Sequence, residues 1–319
     1  MRRVRASGLN AMALKQVIEA IDVLDAPVTG REVAALLRER DLQVEDIPMQ
    51  GKSGETTFLL VTIPGAEGRT AGGNAPTLGV IGMLGGLGAR PEKTGLVSDA
   101  DGAICAVALC LKLAAMRARG DQLKGDVLVS THICPNAGVI PHHPVPFMSS
   151  PVDMSIMNRV QVDPHMDAIL SVDTTKGNRI LNHRGIAITP TVKDGWVLPV
   201  SNDLLDILEA VTGDLPAVLP LSTLDITPYG NGLPHINSIM QPSVATTAPV
   251  VGVAVTARVA VPGCVTGANQ PTDLELAVRF CTEVAKAMGK GQCKFYDQDV
   301  FDKAVEMYGS MRALRGTVV

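Results

Sequence analysis

His132, Cys134, Asn136, His142 and His143 crowd into the stretch STHICPNAGVIPHHPVPFM, residues 130–148, which holds three of the chain's six histidines. Imidazoles and thiolates bind zinc-like ions, and a thiolate beside an imidazole is also a nucleophile with its base. Three readings are open: a metal site, a cysteine active site, or a proline-braced loop that is rich in histidine. In the second, Cys134 attacks and His132 or His142 is the base. The bland reading of Cys134 is a small buried thiol, the commoner fate of cysteine. His142 and His143 adjoin in an extended segment, so their side chains point opposite ways and at most one faces a site.

Carboxylates supply the rest of the chemistry. Asp99 and Asp101 follow the apolar run TLGVIGMLGG (77–86) and open an apolar helix, Ile104 to Met116. His132 ends the run DVLVSTHI, and Asp173 ends MDAILSVDTT (166–175). In open α/β sheets, ligands bind at the carboxyl ends of the strands. If these strands are neighbours, Asp99, His132 and Asp173 form a ligand set for a divalent metal, zinc or manganese. Asp101 is then the general base or steadies a ligand. Helix capping explains Asp99 and Asp101 equally well taken alone. His165, in a turn, and His183, before a strand, read as structural.

Two glycine-rich loops flank these strands. GMLGGLGARPEKTG (82–95) presents backbone N–H groups to an anion, with Arg90 assisting. It lacks the G-x-x-x-x-G-K-[ST] spacing of a nucleotide P-loop, and close backbone packing is the plainer use. DITPYGNGLPHINSI (225–239) carries Tyr229 and Asn231 as substrate-binding candidates and His235 as a catalytic one. Turn formation accounts for Gly230-Asn231-Gly232 by itself. Asn136 is a further substrate-binding candidate.

The elements that must position these groups follow from periodicity. Leu14, Val17, Ile18, Ile21 and Leu24 recur at helical spacing. Thr29 and Glu32 form a capping box for a second helix. Strands are predicted at 56–65, 77–86, 125–131 and 167–172, at LPAVLPLST (215–223) and at APVVGVAVTARV, and helices at NDLLDILEAVTG and PTDLELAVRFCTEVAKAMG. Unbroken apolar strands suit a sheet covered on both faces. The expected fold is α/β: three layers, a mixed, mostly parallel sheet between helices. Residues 1–13 read as an extension and 14–319 as one domain, with an irregular proline-rich excursion at 135–151.

Composition bounds the partners. The net charge is −4 and aromatics are 3% of 319 residues, which argues against nucleic acid. No run of 18 apolar residues and no secretory h-region occurs, so no membrane partner is expected. The six cysteines lack any C-x-x-C pair, which suits a reduced, cytoplasmic protein. The apolar Val139, Ile140, Val145, Phe147 and Met148 suggest a covered surface and hence a homo-oligomer.

Phrases such as LGARPEKTGLVSDADGAI, THICPNA, PVPFMSSPVDM, DAILSVDTTKGNRI and ITPYGNGLPHINSI resemble a family of bacterial proteins of unknown function, from about Leu14 to Asp299. More distantly, the order of elements resembles the dinuclear zinc aminopeptidase and deacylase clan, TET-type aminopeptidases above all. SDADGAICAVAL is similar to that clan's bridging aspartate before an apolar helix, and DPHMDAILSVDTT to its later ligand strand. The resemblance implies a zinc-aminopeptidase-like fold and ligand roles for Asp99 and Asp173. The departures are specific. No histidine stands in GMLGGLGA, the clan's glutamate pair falls near Cys134-Pro135, its last histidine falls near Val265-Thr266, and there is no room for the TET lid domain.

The expectation is a metal-dependent hydrolase of an amide bond in a small amino-acid-like or peptide-like substrate. The alternatives are a metal-free enzyme with Cys134 as nucleophile, and a non-catalytic binding or assembly protein of the same fold.

Overall fold

A computed structural model describes residues 12–316, apart from 26, 53, 84, 89–94, 144, 236 and the side chain of Phe147. Most of the expected 1–13 extension and Arg90 therefore lie outside the described residues. Ala13 is already buried in the core, and its N–H donates to Glu275.

Strands β1 (Gln43–Gly51), β2 (Gly54–Ile63), β3 (Leu78–Gly82), β4 (Val127–Ile133), β7 (Ala168–Thr174), β8 (Gly185–Ile188), β9 (Thr191–Lys193), β10 (Trp196–Leu198) and β11 (Val250–Thr256) form one sheet. Its order is β1-β2-β4-β3-β7-β11-β9-β10, with β8 also on β11. The sheet is mixed, as expected. Its four central strands, β4-β3-β7-β11, run parallel, and antiparallel hairpins extend both edges. A separate hairpin, β5 (Val139–Ile140) with β6 (Phe147–Met148), forms within the proline-rich excursion.

The central strands are buried on both faces because each feeds two cores. Along β11, Val251, Val253 and Val255 face one cluster, while Val250 and Ala254 face another. The first cluster packs against helices α1 (Leu14–Asp25), α2 (Gly30–Arg38), α3 (Asp101–Arg117), α5 (Asn202–Thr212) and α6 (Pro271–Gly289). Across the sheet lie α4 (Met154–Gln161) and a 3-10 segment, Ser238–Val244. A last helix, α7 (Gln298–Tyr308), is largely exposed. Thr29 and Glu32 make the expected capping box. Helix α3 is apolar on every side and accordingly buried on every side. Its Lys112 is accommodated by donating to the Met12 carbonyl at 2.8 Å.

One predicted strand does not form. Residues 215–223 make only a single bridge, Val218 to Ile188, and Leu215 is 86% exposed. Pro216 and Pro220 remove two ladder donors from the stretch.

Helix α3 enters unusually close to the sheet. A Cβ on Gly102 would lie 2.2 Å from the Met83 carbonyl oxygen and 2.8 Å from that of Val172. A Cβ on Gly82 would lie 2.3 Å from the Gly102 carbonyl oxygen. Gly82 and Gly85 thus serve packing: a Cβ on Gly85 would overlap the His132 carbonyl at 1.3 Å. Gly102→Ala should destabilise the protein by roughly 1–3 kcal/mol, the usual range for overpacking. Urea unfolding checks this: the midpoint should fall with an unchanged slope.

Candidate functional site

The carboxyl ends of β3, β7 and β11 lie side by side, and three carboxylates meet there. Asp173 is the penultimate residue of β7, paired with Ala254 of β11. Asp99 sits in the 3-10 turn after β3, and Asp101 is the first residue of α3. All three are buried. Each carboxyl is pushed up from the usual aspartate range, chiefly by burial. Asp99 rises to about 6, with Asp101's charge adding to the effect. Asp173 rises to about 7, with the charges of Asp99 and Asp101 adding.

Fixed donors hold the cluster. Asp99 Oδ2 accepts the Met148 N–H at 3.1 Å. Asp173 accepts from Ser238 Oγ at 3.0 Å and from the Thr174 N–H at 2.7 Å. Asp101 accepts from Lys176 Nζ and Asn269 Nδ2, both at 2.6 Å. The loop after β11 wraps the turn: Asp99 N–H donates to the Gly263 carbonyl and Ser98 Oγ to that of Pro262. Gly263 is required there, since a Cβ would lie 2.2 Å from Asp99 Oδ2. The Pro135–Pro151 excursion walls the site through its backbone, with the Met148 N–H on Asp99 and the Pro146 carbonyl accepting from Gly263.

His132 does not join this cluster. Strand β3 lies between β4 and β7, and two ladder steps separate their backbones by roughly 9–10 Å. Both ring nitrogens are also taken. Thr56 Oγ1 donates to the Ile133 carbonyl, so it accepts from His132 Nδ1–H at 2.9 Å. His132 Nε2 accepts the Gly85 N–H at 3.1 Å. The ring packs on Phe58, and burial lowers its pKa to about 4. It is a neutral core histidine with no lone pair free for a metal. Among the described residues, no three His, Cys, Asp or Glu side chains are placed to hold a metal ion together.

Other candidates also resolve. Cys134 is buried with Val97, Ala137, Met148 and Cys264, and burial pushes its thiol up to about 11. Since His132 is fully engaged, it cannot serve as base to that thiol. Asn136 is exposed, and its backbone supports the Cys134 thiol. Asn231 closes its own turn through Thr227 Oγ1 and the Leu233 N–H. His235 is bound to Thr227 and Leu233 rather than to the cluster, and its ring lies 5.2 Å from that of Tyr229. Tyr229 is half exposed, and burial raises its phenol, with Asp173's charge adding to the effect. Asp101 is pinned by Lys176 and Asn269 and is not a free base.

Lys176, Ser238 and Asn269 were not anticipated. Lys176 was visible as the cation three residues beyond Asp173, and Asn269 as the polar residue just before α6. The Asn269 Oδ1 is buried and has no donor.

The arrangement is an aminopeptidase-like α/β fold with an acidic cluster at its strand ends. It is similar to a tomato leucine aminopeptidase mutant, at 14% identity and a TM-score of 0.54. That match covers 84% of this chain and 61% of the tomato chain, so the protein spans less than two thirds of that relative. It is also similar to the cytosol aminopeptidase of Coxiella burnetii, at 13% identity and a TM-score of 0.53, covering 88% of this chain and 69% of that one. The chain belongs to the family described as Protein of unknown function (DUF1177), which it matches over residues 48–317. No curated protein matches it. No helix among the described residues is long and apolar enough to cross a membrane.

Opposed pH effects follow. In the fold Asp99 and Asp173 keep their protons to about pH 6 and 7, against an ordinary value of 3.8. The native state binds the extra protons, so these groups make the metal-free protein more stable as pH falls from 8 towards 5. His132 protonates near 6.5 when unfolded and near 4 when folded. Its contribution is complete above 6.5 and is lost as pH falls through about 4, on the order of 3 kcal/mol. With chelator present at pH 8, Asp173→Asn should therefore stabilise the protein, on the order of 4 kcal/mol. Melting temperatures at pH 8 and pH 5 check this: the gain should shrink to less than half at pH 5, since it disappears only below the ordinary value of 3.8.

Proposed function

We propose that this protein is a hydrolase of an amide bond in a small amino-acid-like or peptide-like molecule, with a divalent zinc or manganese ion held by Asp99 and Asp173. One observation carries the reading. Two buried carboxylates stand at adjoining strand ends with no ion pair among the described residues, beside a third that already has its cation. Hard carboxylate oxygens suit a hard or borderline ion. The donors do not fit a set that includes His132.

When bound, such an ion polarises a carbonyl and lowers the pKa of its water. The chain's own groups do the positioning. Ser238 and the Thr174 N–H fix Asp173, and the Met148 N–H fixes Asp99. Tyr229, half exposed and sensitive to Asp173's charge, is the candidate group to meet the substrate. The aminopeptidase likeness supports the choice of an amide.

The two-carboxylate count favours one alternative: a ligand's own ammonium fills the cluster and the protein only binds. The purified protein should be incubated with zinc, manganese or cobalt, dialysed, and assayed for metal and for turnover of N-acyl amino acids, dipeptides and cyclic amides. One ion per chain is expected, with metal and turnover both lost in Asp99→Asn/Asp173→Asn. No retained metal with any of the three would reject the proposal in favour of the binding reading.

The hairpin beside the site presents Val139 and Ile140, 42% and 37% exposed, to solvent. We infer that it packs on a second copy of the chain, since contiguous apolar surface is rarely left uncovered. Light scattering at micromolar concentration should give a multiple of 33.5 kDa. Ile140→Asp should shift it towards the monomer, because a carboxylate buried in that contact is strongly penalised.

A further inference from the structure

The turn VKDGWV, residues 192–197, builds a second region of the molecule. Lys193 pairs with Trp196 across the β9–β10 hairpin, so Asp194 and Gly195 form a two-residue turn. Both have positive φ, 50° and 86°, as a tight hairpin turn requires and as Asp-Gly supplies. The chain returns across this turn after α7: a Cβ on Gly195 would lie 2.2 Å from the Met311 carbonyl oxygen. Just beyond, Arg312 and Arg315 both bond Asp194. The hairpin, α7 and this returning segment line a cavity of about 490 Å³, a size usual for small-molecule sites. It shares no residue with the acidic cluster.

Two kinds of group face each other there. Trp196 and Phe301 supply aromatic wall, and Asp302 and Glu306 supply carboxylates. Phe301, Asp302, Val305 and Glu306 stand at i, i+1, i+4 and i+5 of α7 and so share one face. The rings at this corner already hold one cation: Lys193 Nζ lies 5.3 Å from the centres of both Tyr296 and Phe301. Its charge is within reach of Asp302, but its Nζ donates to the Thr247 carbonyl at 2.8 Å. Asp194 is neutralised by its two arginines. Asp302 accepts from the neutral Gln298 amide at 2.8 Å, and neither it nor Glu306 has an ion pair among the described residues. No three side chains of the described residues are placed to hold a metal ion, so the complement to these carboxylates is a larger, organic cation.

We propose that this cavity is a second ligand site and that it takes a small organic cation, a guanidinium group on a short apolar stem. The planar head stacks on the Trp196 indole and donates to Asp302 and Glu306, while the stem packs on Phe301 and Val305. Both carboxylates are exposed, so the head stays partly wet. That favours guanidinium over ammonium, because guanidinium is the less strongly hydrated, is planar and carries its donors in a fixed fork. The fold itself uses guanidinium groups at this corner, on Asp194.

Trp196 is the only tryptophan in the chain, so its fluorescence reports on this cavity alone. The whole protein should be titrated with butylguanidinium, butylammonium and butanol, which share a stem and differ in the head. A saturable change in the millimolar range or below is expected with butylguanidinium, a several-fold weaker one with butylammonium, and none with butanol. Asp302→Asn/Glu306→Gln should weaken butylguanidinium binding roughly tenfold or more. Asp299→Asn, on α7 but outside the cavity, should leave it unchanged. No saturation with butylguanidinium overturns the proposal, and so does equal affinity for butylammonium or butanol, whether or not the double variant folds. A folded double variant that binds as tightly as the wild type also overturns it.

Discussion

Three carboxylates buried together beside one ammonium are the constraint around which this end of the molecule is built. A charge removed from water must recover its hydration from fixed donors or a counter-charge. The donors come from segments far apart in sequence: the Met148 N–H from the proline-rich hairpin, Ser238 from the 3-10 segment, Asn269 from the approach to α6 and Lys176 from the end of β7. Each of these irregular segments is held by its contact with a carboxylate. The cluster therefore organises the loops at the carboxyl ends of the strands, as much as the loops enclose the cluster.

That arrangement depends on how closely α3 approaches the sheet. Gly82 and Gly102 let the helix start against the ends of β3 and β7, where any side chain would collide with backbone. The first turn of a helix carries undonated N–H groups and the positive end of its dipole, so carboxylates are tolerated there better than elsewhere. Asp101 stands in that first turn and Asp99 just before it. Gly263 does the same from the opposite side, letting the loop after β11 close over Asp99. Glycines that could be mistaken for a phosphate cradle are thus the means by which backbone and carboxylate come together.

The parts of this design legible in the sequence are those governed by local pattern. Unbroken apolar runs marked β3, β4, β7 and β11, and the wholly apolar stretch marked α3. Asp173 was visible because a carboxylate ending an apolar strand is out of keeping with its surroundings, and Asp99 and Asp101 because they stand where an apolar helix opens. What was not legible is sheet order. His132 ends a strand in the same way, but β3 lies between its strand and that of Asp173, and only the three-dimensional crossover decides this. Residues 215–223 show the opposite failure: an apolar composition predicted a strand, and the two prolines prevailed over it. Asn231 and His235 were picked for their chemistry, whereas the folded loop uses that chemistry on its own backbone.

The histidine-rich stretch illustrates the general point. A ligand is defined by a free lone pair directed at a site, and residue type supplies only the atom. His132 has the right atoms, but Thr56 and Gly85 occupy both of them, and burial keeps the ring neutral. Cys134 has a thiol, but its apolar surroundings hold the proton on it. The same stretch still serves the site through groups that carry no residue identity, the Met148 N–H and the Pro146 carbonyl. Its prolines matter in that role, because they limit the conformations of a segment that must present two backbone groups at fixed positions. The segment's contribution is therefore one of shape, and the chemistry is left to the carboxylates and the lysine that β3, β7 and α3 bring together.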